Sequence, residues 1–188
     1  MSHLSIFFIA KNNNYRQILI NELCKGGITN IQEFTNAINY ILDMRYVESI
    51  REKEGGTYGV SVYGTLYSRP VNNYKITMQF TCAPERADYL KKLLLDELTN
   101  LKNNGVTDEE VKKTRENFLK TYPESLKNNS FILDRVANYI NNGVYTPLPE
   151  HSTEIYKNLD GKKIQSFAQK IFSIDYVEVV QKPLVKSN

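Results

Sequence analysis

The feature that most constrains this chain is a long amphipathic stretch that runs into paired glycines and then into two alternating segments. Asn30 followed by Glu33, or Thr29 followed by Gln32, offers a capping box that opens a helix. Phe34, Ala37, Ile38, Ile41, Leu42, Met44 and Val47 recur at helical spacing and give it a broad apolar face. The pattern predicts a helix to about Glu54, ended by Gly55-Gly56. Beyond the glycines, Tyr58, Val60, Val62, Gly64 and Leu66 share one parity. After a turn at Arg69-Pro70 and Asn72-Asn73, Tyr74, Ile76, Met78, Phe80 and Cys82 do the same. Two period-2 patterns joined by a short loop predict an antiparallel pair with one buried face.

The rest of the chain is organised around that unit. Leu4 to Ala10 reads as a buried strand, and Lys11 to Asn30 is irregular, with Tyr15 to Cys24 compatible with a helix that Gly26-Gly27 stops. Pro84 suits the first turn of a helix carrying Leu90, Leu93, Leu94, Leu98 and Leu101 and ending near Gly105. Thr107 to Glu110 is a capping box for the next helix. Ser130 starts another that Gly143 closes, Pro147-Leu148-Pro149 reads as a loop, and Asp160 caps a further helix. Tyr176 to Val180 is a last strand before Pro183. Strands and helices that come in runs predict an α+β fold: two layers, a mostly antiparallel sheet covered on one face by helices. At 188 residues the chain fits a single domain, 1–188, that buries its own core.

Composition excludes several classes. The net charge of +3 is dispersed, with no basic run of the kind that binds nucleic acid. Lys91-Lys92 and Lys112-Lys113 read as solvated helix faces. The longest apolar run, Ile6 to Ala10, is too short to span a membrane. Two cysteines, Cys24 and Cys82, make no disulfide framework, and Cys82, at the end of a strand pattern, reads as a buried free thiol. Met1-Ser2-His3 leads straight into a strand without a signal-peptide pattern, as a truncated start would.

Chemistry has few places to reside. A zinc peptidase site needs clustered His and carboxylate ligands, and the chain holds two histidines, His3 and His151. His151 opens an H-x-x-E sequence, but Ile155 stands where an inverted zinc motif needs its second His. No zinc site is encoded by that count, and His151 reads as a surface or helix-start residue. There is no G-x-S-x-G elbow, and neither cysteine has an activating neighbourhood. Gly55-Gly56-Thr57-Tyr58-Gly59 precedes a strand, whereas phosphate-cradling glycines open a helix.

What remains is the junction Ile50-Arg51-Glu52-Lys53-Glu54-Gly55-Gly56-Thr57-Tyr58-Gly59-Val60-Ser61-Val62. On pattern alone Arg51 is simply favourable in the last turn of a helix, and Tyr58 could be an ordinary core-edge tyrosine. The junction resembles the C-terminal, zinc-free domain of M16 (pitrilysin or processing-peptidase-like) metallopeptidases. The resemblance extends through Tyr40 to Ser49, Phe80 to Glu85 and Leu98 to Glu110, which holds an L-x-x-x-G-V-T-x-E-E run, covering about 34–183. It implies the M16 peptidase-like (LuxS/MPP-like metallohydrolase) fold, and a half-site that is inactive alone.

By that resemblance, zinc and the carboxylate base would belong to a separate zinc-bearing M16 N-terminal domain or subunit, and the substrate would be an unfolded peptide. Tyr58 would stabilise the oxyanion, Arg51 would hold substrate main chain, and Gly55, Gly56 and Thr57 would let the peptide approach. Glu52 and Glu54 take no catalytic role. The chemistry is consistent with these residue types: hydrolysis builds negative charge on the former carbonyl oxygen, where a fixed donor lowers the barrier. A Tyr hydroxyl donates without adding a competing charge, and a guanidinium offers a rigid fork to carbonyls. Strand addition along Tyr58 to Leu66, if it lies at an edge, would add main-chain recognition. A non-catalytic structural or peptide-binding subunit of the same fold is the alternative. The style of the junction is that of bacterial zinc proteases that are often exported, which suggests a periplasmic location.

Overall fold

The computed structural model describes residues 2–9, 31–52, 57–67, 73–142, 149–173 and 176–181. Its elements are β1 (Ser2–Ile9), α1 (Ile31–Tyr46) running into a π-helical turn (Val47–Glu52), β2 (Thr57–Tyr67) and β3 (Asn73–Cys82). A 3-10 turn (Pro84–Arg86) leads into α2 (Ala87–Asn104), followed by α3 (Asp108–Ser125), α4 (Asn129–Asn142), α5 (Pro149–Lys157), α6 (Gly161–Ile171) and β4 (Tyr176–Gln181). The expected α+β class is observed. The segment 11–30, the turn at Arg69-Pro70, Gly143, Pro147-Leu148 and Pro183 lie outside the described residues.

The four strands form one sheet in the order β2-β3-β1-β4, every neighbouring pair antiparallel. Leu4, Ile6, Val60, Ile76, Met78 and Phe80 are buried on the face that α1 and α2 cover. On the other face Tyr63, Val177 and Val179 are about half exposed, although Ser5 and Thr77 at its centre are buried. A buried face under the helices is what the alternating patterns of β2 and β3 predict. Gly64 explains how closely helix and sheet approach: a Cβ there would meet Thr35 Cγ2 at 2.5 Å, so a side chain would push α1 off β2.

The helices close the second layer through local signals that work as expected. Gly105 ends α2 at φ +77°, a left-handed conformation that suits glycine. Thr107 Oγ1 accepts from the Glu110 N–H at 3.2 Å, and Glu110 Oε2 accepts from the Thr107 N–H at 2.7 Å, completing the capping box. Asp160 caps α6 by accepting from the Lys162 and Lys163 N–H groups. Each such cap contributes about 1 kcal/mol. Leu90, Leu94 and Leu98 of α2 and Ile164, Phe167 and Ile171 of α6 are buried with α1 in the main core.

An aromatic part of the same core joins α1, α3, α4 and α5. Phe118 stacks on Tyr156 at 4.4 Å, Tyr40 and Tyr122 flank them, and Arg135 lies over the rings of Tyr122 and Phe131. The abundance of tyrosine in the chain is partly accounted for here. Beside it, the Ser152 hydroxyl donates to Glu33 Oε1 at 3.3 Å, tying α5 to the start of α1. Burial pushes the Glu33 carboxyl above its usual range despite the opposing effects of its backbone N–H, Ser152, Arg135 and His151.

Three expectations are corrected. Pro149 does not belong to a loop but opens α5 at its first position, where a missing N–H costs nothing. Lys91 is not merely a solvated face residue, since its Nζ lies 3.0 Å from Glu178 of β4. The third concerns the end of α1, which is not one continuous α-helix to Glu54.

Candidate functional site

The α-helical hydrogen bonding of α1 stops at Tyr46, and Val47–Glu52 continues as a π turn, in which backbone bonds run from i to i+5. The sequence rationalises this once packing is included. Phe34, Ala37, Ile38, Ile41, Leu42 and Tyr46 are buried along α1, and in unbroken α geometry Ile50 would drift off that face. Each π residue advances about 20° less around the axis, so from Tyr46 onward the lag restores Ile50 to the core, where it is fully buried. Arg51 occupies the next position of the same turn.

The last α turn is held from two sides. Arg45 Nε donates to Glu110 Oε1 at 2.6 Å and its Nη2 to Glu110 Oε2 at 2.9 Å, a bidentate pair, while Nη2 also reaches the Gly105 carbonyl at 2.8 Å. Burial opposes ionisation of Glu110, but the hydrogen bonds from Arg45 and from the Thr107 N–H outweigh it and hold the carboxyl below its usual range. The Tyr46 hydroxyl, wholly buried, donates to the Leu94 carbonyl at 3.2 Å. Its acidity is suppressed, chiefly by burial.

Across the junction, β2 begins with a second irregularity. Thr57 pairs with Cys82, but the next register pair is Val60 with Phe80, so β2 uses one more residue than β3 over this interval. That is a β-bulge, and it falls at Tyr58-Gly59. The strict alternation of β2 is therefore interrupted between Thr57 and Val60. Among the described strands β2 is an edge of the sheet. Arg51 and Tyr58 thus bracket the junction from a π turn and a bulge, while Gly55 and Gly56 lie outside the described residues. Thr57 is the first residue of β2.

The other candidates stay apart from this place. His151 is exposed on α5, and His3 lies on β1. Cys82 is a free, buried cysteine whose thiol burial pushes up, consistent with inertness. Among the described residues no group of three or more His, Cys, Asp or Glu side chains is placed to hold a metal ion. These residues therefore do not fit a zinc site, and none of the chemistry below is routed through a metal on this chain. Among them, too, no helix is long and apolar enough to cross a membrane.

Comparison with known proteins agrees with the fold. The family described as the peptidase M16 inactive domain matches residues 15–118, more than half of the chain, and the chain belongs to that family. The fold is similar to the periplasmic protease PqqL from Escherichia coli, with a TM-score of 0.67, 16% identity, and coverage of 97% of this chain and 19% of that one. It is also similar to an inactive peptidase domain from Bordetella parapertussis, with a TM-score of 0.66, 10% identity, and coverage of 100% and 94%. A protease from Helicobacter pylori gives a TM-score of 0.64 at 13% identity, covering 97% and 41%. The chain thus spans about a fifth of the length of PqqL but nearly all of the Bordetella domain. No curated protein sequence matches the chain.

Proposed function

We propose that this domain is the dependent half of a zinc metalloendopeptidase, supplying Arg51 and Tyr58 to a site that a separate zinc-bearing M16 domain completes. The observation that carries this reading is the pair of irregularities that flank the junction. A π turn at Arg51 and a bulge at Tyr58 each insert a residue into regular structure, a device that is frequent beside functional sites.

In this reading the partner domain would hold zinc and the carboxylate base, and that centre would supply Lewis-acid chemistry at the scissile carbonyl. The Tyr58 hydroxyl donates a hydrogen bond to the oxygen on which charge develops. The Arg51 guanidinium donates to main-chain carbonyls of an unfolded peptide, orienting it for attack. Thr57, Gly55 and Gly56 are assigned to admitting the backbone of that peptide, which adds to β2, an edge strand among the described residues. The similarity to PqqL, described as a periplasmic protease, supports an exported location for the parent protein.

Arg51→Ala in the assembled peptidase is expected to raise KM for an unstructured peptide about tenfold or more while changing kcat less, with Arg51→Lys intermediate. Steady-state kinetics on a fluorogenic peptide checks this, and an unchanged KM would remove Arg51 from substrate binding. The alternative, a peptide-binding subunit without a catalytic role, rests on the same edge position of β2 among the described strands. It predicts peptide binding that survives in an assembly showing no cleavage.

A further inference from the structure

We infer that Arg45 and Glu110 are positioning residues for the junction: their ion pair sets the π turn, and through it the point at which the chain leaves α1 for β2. The inference rests on the reading of Arg51 and Tyr58 above, but its structural part stands on separate observations. A π turn is rarely stable by itself and persists where tertiary contacts hold it. Here two contacts sit immediately before it, the Arg45 fork on Glu110 and Gly105 and the Tyr46 hydroxyl on Leu94, and within it the Ser49 hydroxyl donates to the Arg45 carbonyl at 2.7 Å. Ile50, buried within the turn, is what the altered helical phase keeps in the core.

Glu110 is shared between two tasks. The Oε2 atom that closes the capping box of α3 also accepts from Arg45, so the start of α3 and the end of α1 are fixed by one carboxylate. The side chains of Arg45 and Glu110 are 11% and 19% exposed, which shields the pair from water and salt. From Tyr46 to Arg51 the π lag amounts to roughly a quarter turn relative to an α-helix. Relaxation of the turn to α geometry would therefore re-aim position 51 by that angle, without any change at the junction itself.

The test compares Arg45→Met and the milder Glu110→Gln with Thr107→Ala, which removes the capping hydroxyl and leaves the ion pair, all in the assembled peptidase. Hydrogen exchange at the amides of 47–52 is expected to speed up about tenfold or more in the first two and not in the third. The kcat/KM for an unstructured peptide falls in parallel. Unchanged exchange in Glu110→Gln, or an equal rise in Thr107→Ala, would overturn the inference, since the turn would then answer only to general stability. Faster exchange without loss of kcat/KM, in an enzyme that Arg51→Ala still impairs, would overturn the positioning role. If Arg51→Ala and Tyr58→Phe are also without effect, the failure lies in the functional reading and not in the clamp.

Discussion

Tyr58→Phe is expected to lower kcat of the assembled peptidase by roughly 10²- to 10³-fold while leaving KM nearly unchanged, the usual effect of deleting one oxyanion donor. The substitution removes a hydroxyl and keeps the ring, so the bulge at Tyr58-Gly59 and the pairing of Thr57 with Cys82 remain in place. A donor that acts only as charge develops binds ground state and transition state differently, and its loss appears in kcat. A bulge is a suitable seat for such a group, because the inserted residue escapes the strict alternation of β2. Single-turnover cleavage of a fluorogenic peptide, with circular dichroism to confirm the fold, reads the effect. An unchanged kcat would end the oxyanion role, and a raised KM with normal kcat would assign Tyr58 to ground-state binding instead.

The second large effect concerns the platform. Phe167 is 1% exposed, its ring 6.0 Å from that of Phe34, where α6 meets α1. Phe167→Ala leaves a cavity at that contact and is expected to cost about 3–5 kcal/mol. In a domain of this size that lowers Tm by roughly 10 °C. Leu133→Ala serves as the control, because Leu133 on α4 is 66% exposed and its truncation is expected to change stability by less than about 0.5 kcal/mol. Urea unfolding of the two variants checks the placement of the core. Equal losses would mean that α6 does not pack under α1 as described.

The two effects differ in how they could be foreseen from residues. Phe167 shares a helical stripe with Ile164, Ala168 and Ile171, opened by Asp160, so both the helix and its buried face are local properties. The Thr107-Glu110 box and the stop at Gly105 are local in the same sense. Pro149 misled because proline breaks a helix in its interior but opens one at its first position, and the residue alone does not distinguish the two. The insertion of β1 between β3 and β4 joins residues from opposite ends of the chain, and no periodicity encodes such an order.

The candidate site was legible to a different degree. Arg51 and Tyr58 stood out through a family resemblance, not through period or spacing. The π turn and the bulge that set their positions left no mark in the sequence pattern. Hydrogen bonding from i to i+5 has no compositional signature, and here it depends on Arg45 finding Glu110, 65 residues away. The bulge likewise emerges only when the register of β2 on β3 is known. The predicted helix holds to Tyr46, continues as a π turn to Glu52, and its last two residues lie outside the described ones.

The most direct test of the dependent-half reading is reconstitution. The zinc-bearing M16 domain of the parent protein, prepared alone, is assayed for cleavage of an unstructured peptide with and without this domain added, and zinc is quantified on each part. The expected result is zinc on the partner alone, negligible cleavage by either part, and cleavage that rises with added domain to saturation. Full activity of the zinc-bearing part alone, or stoichiometric zinc on this chain, would contradict the account.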